Sequence, residues 1–120
     1  MKKVIVLLLL VLLVVTAVSA NVLLIEDGDV YDVISVPSTL TVEMTGGQVG
    51  TFDIDGGIVN VRGGIISGSS IRVFSGSVFN MYGGKNSGLG EIGCYGGTIN
   101  IYGGEAGVVM NGWGGGTVNI

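Results

Sequence analysis

From Thr41 onward the chain alternates apolar and polar residues in short runs, and a pair of glycines closes most of them. The runs are Thr41-Val42-Glu43-Met44-Thr45-Gly46-Gly47, Ile58-Val59-Asn60-Val61-Arg62-Gly63-Gly64, Val78-Phe79-Asn80-Met81-Tyr82-Gly83-Gly84 and Thr98-Ile99-Asn100-Ile101-Tyr102-Gly103-Gly104. Thr117-Val118-Asn119-Ile120 begins a fifth. The central polar position is Glu43, Asn60, Asn80, Asn100 and Asn119, in steps of 17, 20, 20 and 19 residues. Alternation with a period of two predicts a strand in each run, with Val59 and Val61, Phe79 and Met81, Ile99 and Ile101, and Val118 and Ile120 on one face. The glycine pairs predict corners, because glycine reaches positive φ without steric penalty. A second, weaker strand is expected before each copy, over residues 51–55, 70–74, 91–95 and 108–113.

A period near 20 residues is at the short end of the range that marks stacked-repeat architectures. A five-residue strand cannot bury its apolar face alone. Laid over an equivalent strand, it pairs its backbone groups at about 4.8 Å spacing and buries the same two side chains again. The predicted fold is all-β, a parallel β-helix (β-solenoid) of about 20 residues per coil across residues 41–120. Frequent glycine and the lack of a sustained 3.6-residue period argue against helices after residue 20. Runs of about five residues are too short for the 9–11-residue strands of a transmembrane barrel.

The two ends differ from the repeats. Met1-Lys2-Lys3, an apolar run over residues 4–15 and the small residues Thr16-Ala17-Val18-Ser19-Ala20 form the layout of a secretory signal peptide, with cleavage expected before Asn21. Export to the cell surface or medium follows from that layout. Residues 21–40 predict two strands around the turn Glu26-Asp27-Gly28-Asp29, with Pro37 as a break. They are expected to cap the first coil, since terminal repeats are atypical. The chain finishes inside a strand, which suggests a fragment, and an uncapped final coil would favour self-association.

Removing the leader changes the composition. All 24 glycines lie after residue 20, and three basic residues face nine acidic ones, a formal charge of −6. Arg62, Arg72 and Lys85 are too scattered for a phosphate-binding patch, so nucleic acid is excluded as a partner. The chain has no histidine, which removes His-based catalytic triads and His-containing metal sites. The single cysteine, Cys94, can form no internal disulfide and is expected in the core.

Three constellations remain. With the apolar pairs turned inward, Asn60, Asn80, Asn100 and Asn119 form an outward row beside Arg62, Tyr82 and Tyr102. The row is first a stabilising ladder on a solvated sheet. It is second a flat face that contacts glycans through Asn hydrogen bonds and Tyr stacking. Asp53 and Asp55 should share a face, with Arg72 one coil on as a partner for a carboxylate. A solvated edge is preferred there to a Ca²⁺ site, which wants six to eight oxygens. The acids Glu26, Asp27, Asp29 and Asp32 lack the spacing of an EF-hand loop. Counting six residues back from the Asn row places Ile54, Phe74, Cys94 and Trp113 together, in the core. No cofactor, metal or catalytic residue is assigned.

The units GGIVNVRGG, SGSVFNMYGG and GGTINIYGG resemble the glycine-rich repeats of secreted bacterial β-helix proteins, adhesin-like and autotransporter-passenger-like among them. The resemblance implies surface display, self-association or attachment to glycans. The expected function is a non-enzymatic structural or adhesive role. The alternative is a piece of a polysaccharide-active β-helix enzyme, a lyase or hydrolase, which needs clustered carboxylates or a basic residue across several coils.

Overall fold

A computed structural model describes residues 21–68, 70–88, 90–111 and 114–120. The expected signal peptide, residues 1–20, and Trp113 lie outside the described residues. The described chain is a parallel β-solenoid with no helix.

One sheet stacks six strands: β1 (Asn21–Ile25), β3 (Leu40–Met44), β5 (Ile58–Val61), β8 (Val78–Met81), β11 (Thr98–Ile101) and β13 (Thr117–Asn119). The register is the one the glycine pairs predict. Val42 faces Val59, Val59 faces Phe79, Phe79 faces Ile99 and Ile99 faces Val118. Val42, Val59, Phe79 and Ile99 are wholly buried, so they form a single interior column. Met44, Val61 and Met81 form a second buried column beside it.

The other sheet contains β2 (Val30–Pro37), β4 (Gln48–Asp55), β7 (Ser70–Phe74), β10 (Glu91–Tyr95) and β12 (Val109–Asn111). Two short strands, β6 (Ile65–Ile66) and β9 (Lys85–Asn86), also join it. Gln48 and Val49 of β4 pair with β6, while Asp53 and Ile54 pair with β7. The eight-residue β4 is therefore matched in the next coil by two strands with Gly68 between them. Each middle coil thus has a third straight segment beyond the two that the sequence pattern marks. Phe52, Ile54, Ile71, Val73, Ile92 and Cys94 fill the core from this side.

Residues 21–40 are built on the plan of the repeats. Leu23 faces Val42 and Ile25 faces Met44 in the first sheet, while Ile34 and Val36 face Phe52 and Ile54 in the second. All four are buried, so this segment is itself the first described coil.

Two kinds of glycine shape the corners. The second member of each pair, Gly47, Gly64, Gly84 and Gly104, has φ between 77° and 92°, a region that side chains with a Cβ rarely adopt. Gly57 is needed for space: a Cβ there would collide with the Pro37 carbonyl oxygen and lie 2.5 Å from Val36 Cγ1. One corner departs from the rest. Ser75-Gly76-Ser77 stands where Gly56-Gly57 and Gly96-Gly97 stand in its neighbours, one residue longer. Ser77 is buried, accepts a hydrogen bond from the Gly56 N–H at 2.6 Å and donates to the Ile54 carbonyl at 2.6 Å. It ties this corner to the coil before it.

The longer corner corrects one expectation. Phe74 is not in the core with Ile54 and Cys94, both of which are fully buried. Val73 takes that interior place, facing Ile54 on one side and Cys94 on the other, and Phe74 turns outward. The six-residue count crosses the extra residue and so arrives one position late. Alternation within Ser70–Phe74, with Ile71 and Val73 inward, gives the correct face.

Candidate functional site

Among the described residues, the side chains singled out by the sequence pattern gather on two outward faces, one on each sheet. On the first sheet, parallel pairing places Leu24, Glu43, Asn60, Asn80, Asn100 and Asn119 in one column. Strand spacing of about 4.8 Å lets each carboxamide reach the next. Asn119 Nδ2 donates to Asn100 Oδ1, Asn100 Nδ2 to Asn80 Oδ1 and Asn80 Nδ2 to Asn60 Oδ1, each at 2.8 Å. Asn60 Nδ2 donates to Glu43 Oε2. In every ladder bond the donating N–H points toward the lower-numbered coil, so the amide dipoles run head to tail and end on a carboxylate, which only accepts. Hydrogen bonds aligned in this way polarise one another.

Beside this ladder runs a second column. Arg62 Nε approaches Glu43 Oε1 at 3.3 Å, and its guanidinium carbon lies 4.5 Å from the centre of the Tyr82 ring. Tyr82 stacks on Tyr102 with centroids 5.0 Å apart and planes inclined by 13°. The predicted ligand-face residues Asn60, Asn80, Asn100, Arg62, Tyr82 and Tyr102 are thus brought together. Their contacts are to one another, to Glu43 and to Asn119. No sugar ring fits between rings 5.0 Å apart, so the edges of the tyrosines, the Tyr hydroxyls and one N–H per carboxamide are what this face offers a ligand.

On the second sheet, Ser35, Asp53, Arg72 and Gly93 occupy one outward column. Pro37 pairs with Asp55 and Phe74 with Tyr95 in the column beside it. Asp53 and Asp55 share a face, as period-two alternation predicts. Arg72 meets Asp53 side by side: Nε lies 2.7 Å from Oδ1 and Nη2 2.9 Å from Oδ2. This bidentate fork is the strong geometry for a guanidinium and a carboxylate. The hydrogen bond to Asp53, and then its negative charge, raise the Arg72 pKa above its ordinary value. With both Asp53 oxygens accepting from Arg72, Asp55 is the only one of the two carboxylates left open to a cation. No group of three or more acidic, His or Cys side chains positioned for a metal occurs among the described residues.

Phe74 and Tyr95 stack with centroids 5.7 Å apart and planes 28° apart. Together with Ser35, Asp53, Asp55 and Arg72 they line a groove of about 580 Å³. The sequence pattern marks Asp53, Asp55 and Arg72 but not the rings, because the six-residue count from the Asn row turns Phe74 inward. Two aromatics at one outward position of adjacent repeats were the signal. Cys94 is fully buried with its Sγ 3.1 Å from the Gly97 carbonyl, a core residue as expected.

Compared with known proteins, the chain matches no family model, no curated protein and no solved structure.

Proposed function

We propose that this chain is an exported, non-enzymatic β-solenoid with a structural or adhesive role, presenting repeated polar and aromatic faces to glycans at a cell surface. One observation carries the proposal. The outward side chains are used from coil to coil, in the unbroken ladder from Glu43 to Asn119 and the Arg62–Tyr82–Tyr102 stack beside it. Such columns stiffen a rod along its axis, which suits a spacer or a display surface. They engage the groups a catalyst would need to keep available. Arg72, the basic residue nearest to the paired carboxylates, has two of its nitrogens committed to Asp53. General acid–base chemistry on a polysaccharide calls for a proton carrier poised to exchange, and a guanidinium locked in an ion pair is a poor one.

Incubation with insoluble cell-wall and storage polysaccharides tests the proposal. The protein should sediment with at least one polymer and release no soluble sugar from any. Time-dependent appearance of reducing ends or unsaturated uronates would replace the adhesive role with a lyase or hydrolase. Failure to sediment with every polymer would leave only the structural half.

A further inference from the structure

We propose that the groove on the second sheet is a saccharide-binding site for a neutral pyranose, with Phe74 and Tyr95 as its stacking platform and Asp55 and Arg72 as its polar anchors. The proposal rests on the glycan-contacting part of the function above and places that contact on the face away from the Asn ladder.

The shape comes from a change of side-chain size within one column. Pro37 and Asp55, which pair, are short, while Phe74 and Tyr95, which pair in the next two coils just after the paired Ile54–Val73–Cys94 positions, carry large rings. The column therefore steps up between the second coil and the third, with Asp55 at the foot of the step and Phe74 as its wall. On the other side, Gly93 makes room for the Tyr95 ring. A Cβ at Gly93 would lie 2.6 Å from Tyr95 Cε2 and 3.2 Å from its hydroxyl, so the Tyr95 ring leans back along its strand into space that any larger residue would fill. The rings thus spread across the sheet beside Arg72. The groove of about 580 Å³ is within the 300–1,000 Å³ typical of small-ligand sites.

The chemistry selects the ligand. A sugar ring has an apolar C–H face and a rim of hydroxyls that both donate and accept. The aromatic pair is stacked on itself, and its outer ring faces suit the first. For the second, no described residue donates to the Asp55 carboxylate, which is therefore a ready acceptor. Arg72 uses Nε and Nη2 on Asp53 and keeps Nη1 as a donor. The fork also holds the guanidinium in place before any ligand arrives, which reduces the ordering cost of binding. Asp53 and Arg72 neutralise each other and Asp55 leaves one negative charge, so a uronate is disfavoured and an uncharged hexose fits. The ladder face differs in that its amides bond to one another and Arg62 covers a face of Tyr82, whereas here the face of Phe74 turned away from Tyr95 lines the groove with Asp55.

The test is titration of the protein with soluble neutral oligosaccharides (gluco-, manno-, galacto- and N-acetylglucosamine series), followed by calorimetry and by the NMR signals of the Tyr95 ring. Oligogalacturonate and tetramethylammonium serve as anionic and cationic probes. At least one neutral series should bind and shift Tyr95. Phe74→Leu, which keeps apolar volume but not a flat face, should weaken binding about tenfold, and Asp55→Asn about threefold or more. Lys85→Ala, at an exposed position on β9, is the control and should stay within about twofold, and a Tyr82→Ala, Tyr102→Ala double variant reads out the ladder face. Neutral-sugar binding that survives Phe74→Leu and Asp55→Asn but is lost in the Tyr82/Tyr102 variant would overturn this site while keeping the glycan function. Binding of the uronate or the ammonium probe alone would overturn the assignment of ligand class. No saccharide binding at all would remove both the site and the glycan-contacting function.

Discussion

The head-to-tail order of the asparagine ladder makes a prediction that depends on direction as well as on contact. Asn80 sits in mid-ladder, donating to Asn60 and accepting from Asn100, both at 2.8 Å. Asn80→Ala removes both bonds. At about 0.5–1.5 kcal/mol net for each, the cost is about 1–3 kcal/mol. The lower half of that range is favoured, because the column is half-buried and water reaches the released partners. For a domain of this size each kcal/mol lowers Tm by about 4–8 °C. Asn80→Asp is the sharper variant. It keeps the acceptor for Asn100 but turns a carboxylate oxygen toward Asn60 Oδ1, placing two acceptors face to face. At neutral pH it should be at least as unstable as Asn80→Ala. Facing an acceptor, the introduced carboxyl has its pKa raised in the folded state. Its penalty is therefore present above that pKa and relieved below it, where the protonated group can donate to Asn60. The deficit relative to wild type should shrink as pH falls toward about 4. Urea unfolding at several pH values, followed by circular dichroism and tyrosine fluorescence, measures this, and coincident curves from the two probes license a two-state analysis. An Asn80→Asp midpoint equal to wild type at pH 7, or a deficit unchanged in acid, would refute the directional ladder.

Phe79→Ala opens the centre of the interior column between Val59 and Ile99 and should cost about 3–5 kcal/mol in the same unfolding assay. Ser77→Ala strands the Gly56 N–H and the Ile54 carbonyl within the corner and should cost about 1–3 kcal/mol, with faster amide exchange at Gly56. A double-mutant cycle on Asp53 and Arg72 should give no more than about 1 kcal/mol, falling with added salt, because the Arg72 side chain is 48% exposed. A larger, salt-insensitive coupling would mean that this pair holds the second sheet together.

The candidate sites were legible to different depths. Residues that meet a same-type residue one coil away could be read directly. The Asn ladder and the Tyr82–Tyr102 stack follow from spacing alone, because parallel strands in register turn a distance in sequence into one strand spacing. The Asp53–Arg72 pair was legible as two residues at equivalent strand positions, though its bidentate geometry was not. Phe74 is where residue spacing ceases to report facing. Its distance to Asn80 spans a corner, and corners absorb insertions without disturbing the strands on either side. An offset counted through a corner holds only where the corner keeps its length, as for Ile54 and Cys94, whereas alternation inside a strand holds regardless.

The amino-acid sequence by itself determined the stacked parallel strands, the identity of the interior and outward columns of the first sheet, and the exclusion of histidine chemistry. All of these depend on residue type and on a repeat that recurs about once per coil. Only the tertiary structure decided the third segment of the middle coils, the common direction of the amide bonds, the outward turn of Phe74 and the groove it walls with Tyr95. The amide direction follows from the accept-only Glu43 at the end of the ladder, and the other features from where coils of unequal length place their corners. That is settled by packing between neighbouring coils, not by the local pattern of any one strand.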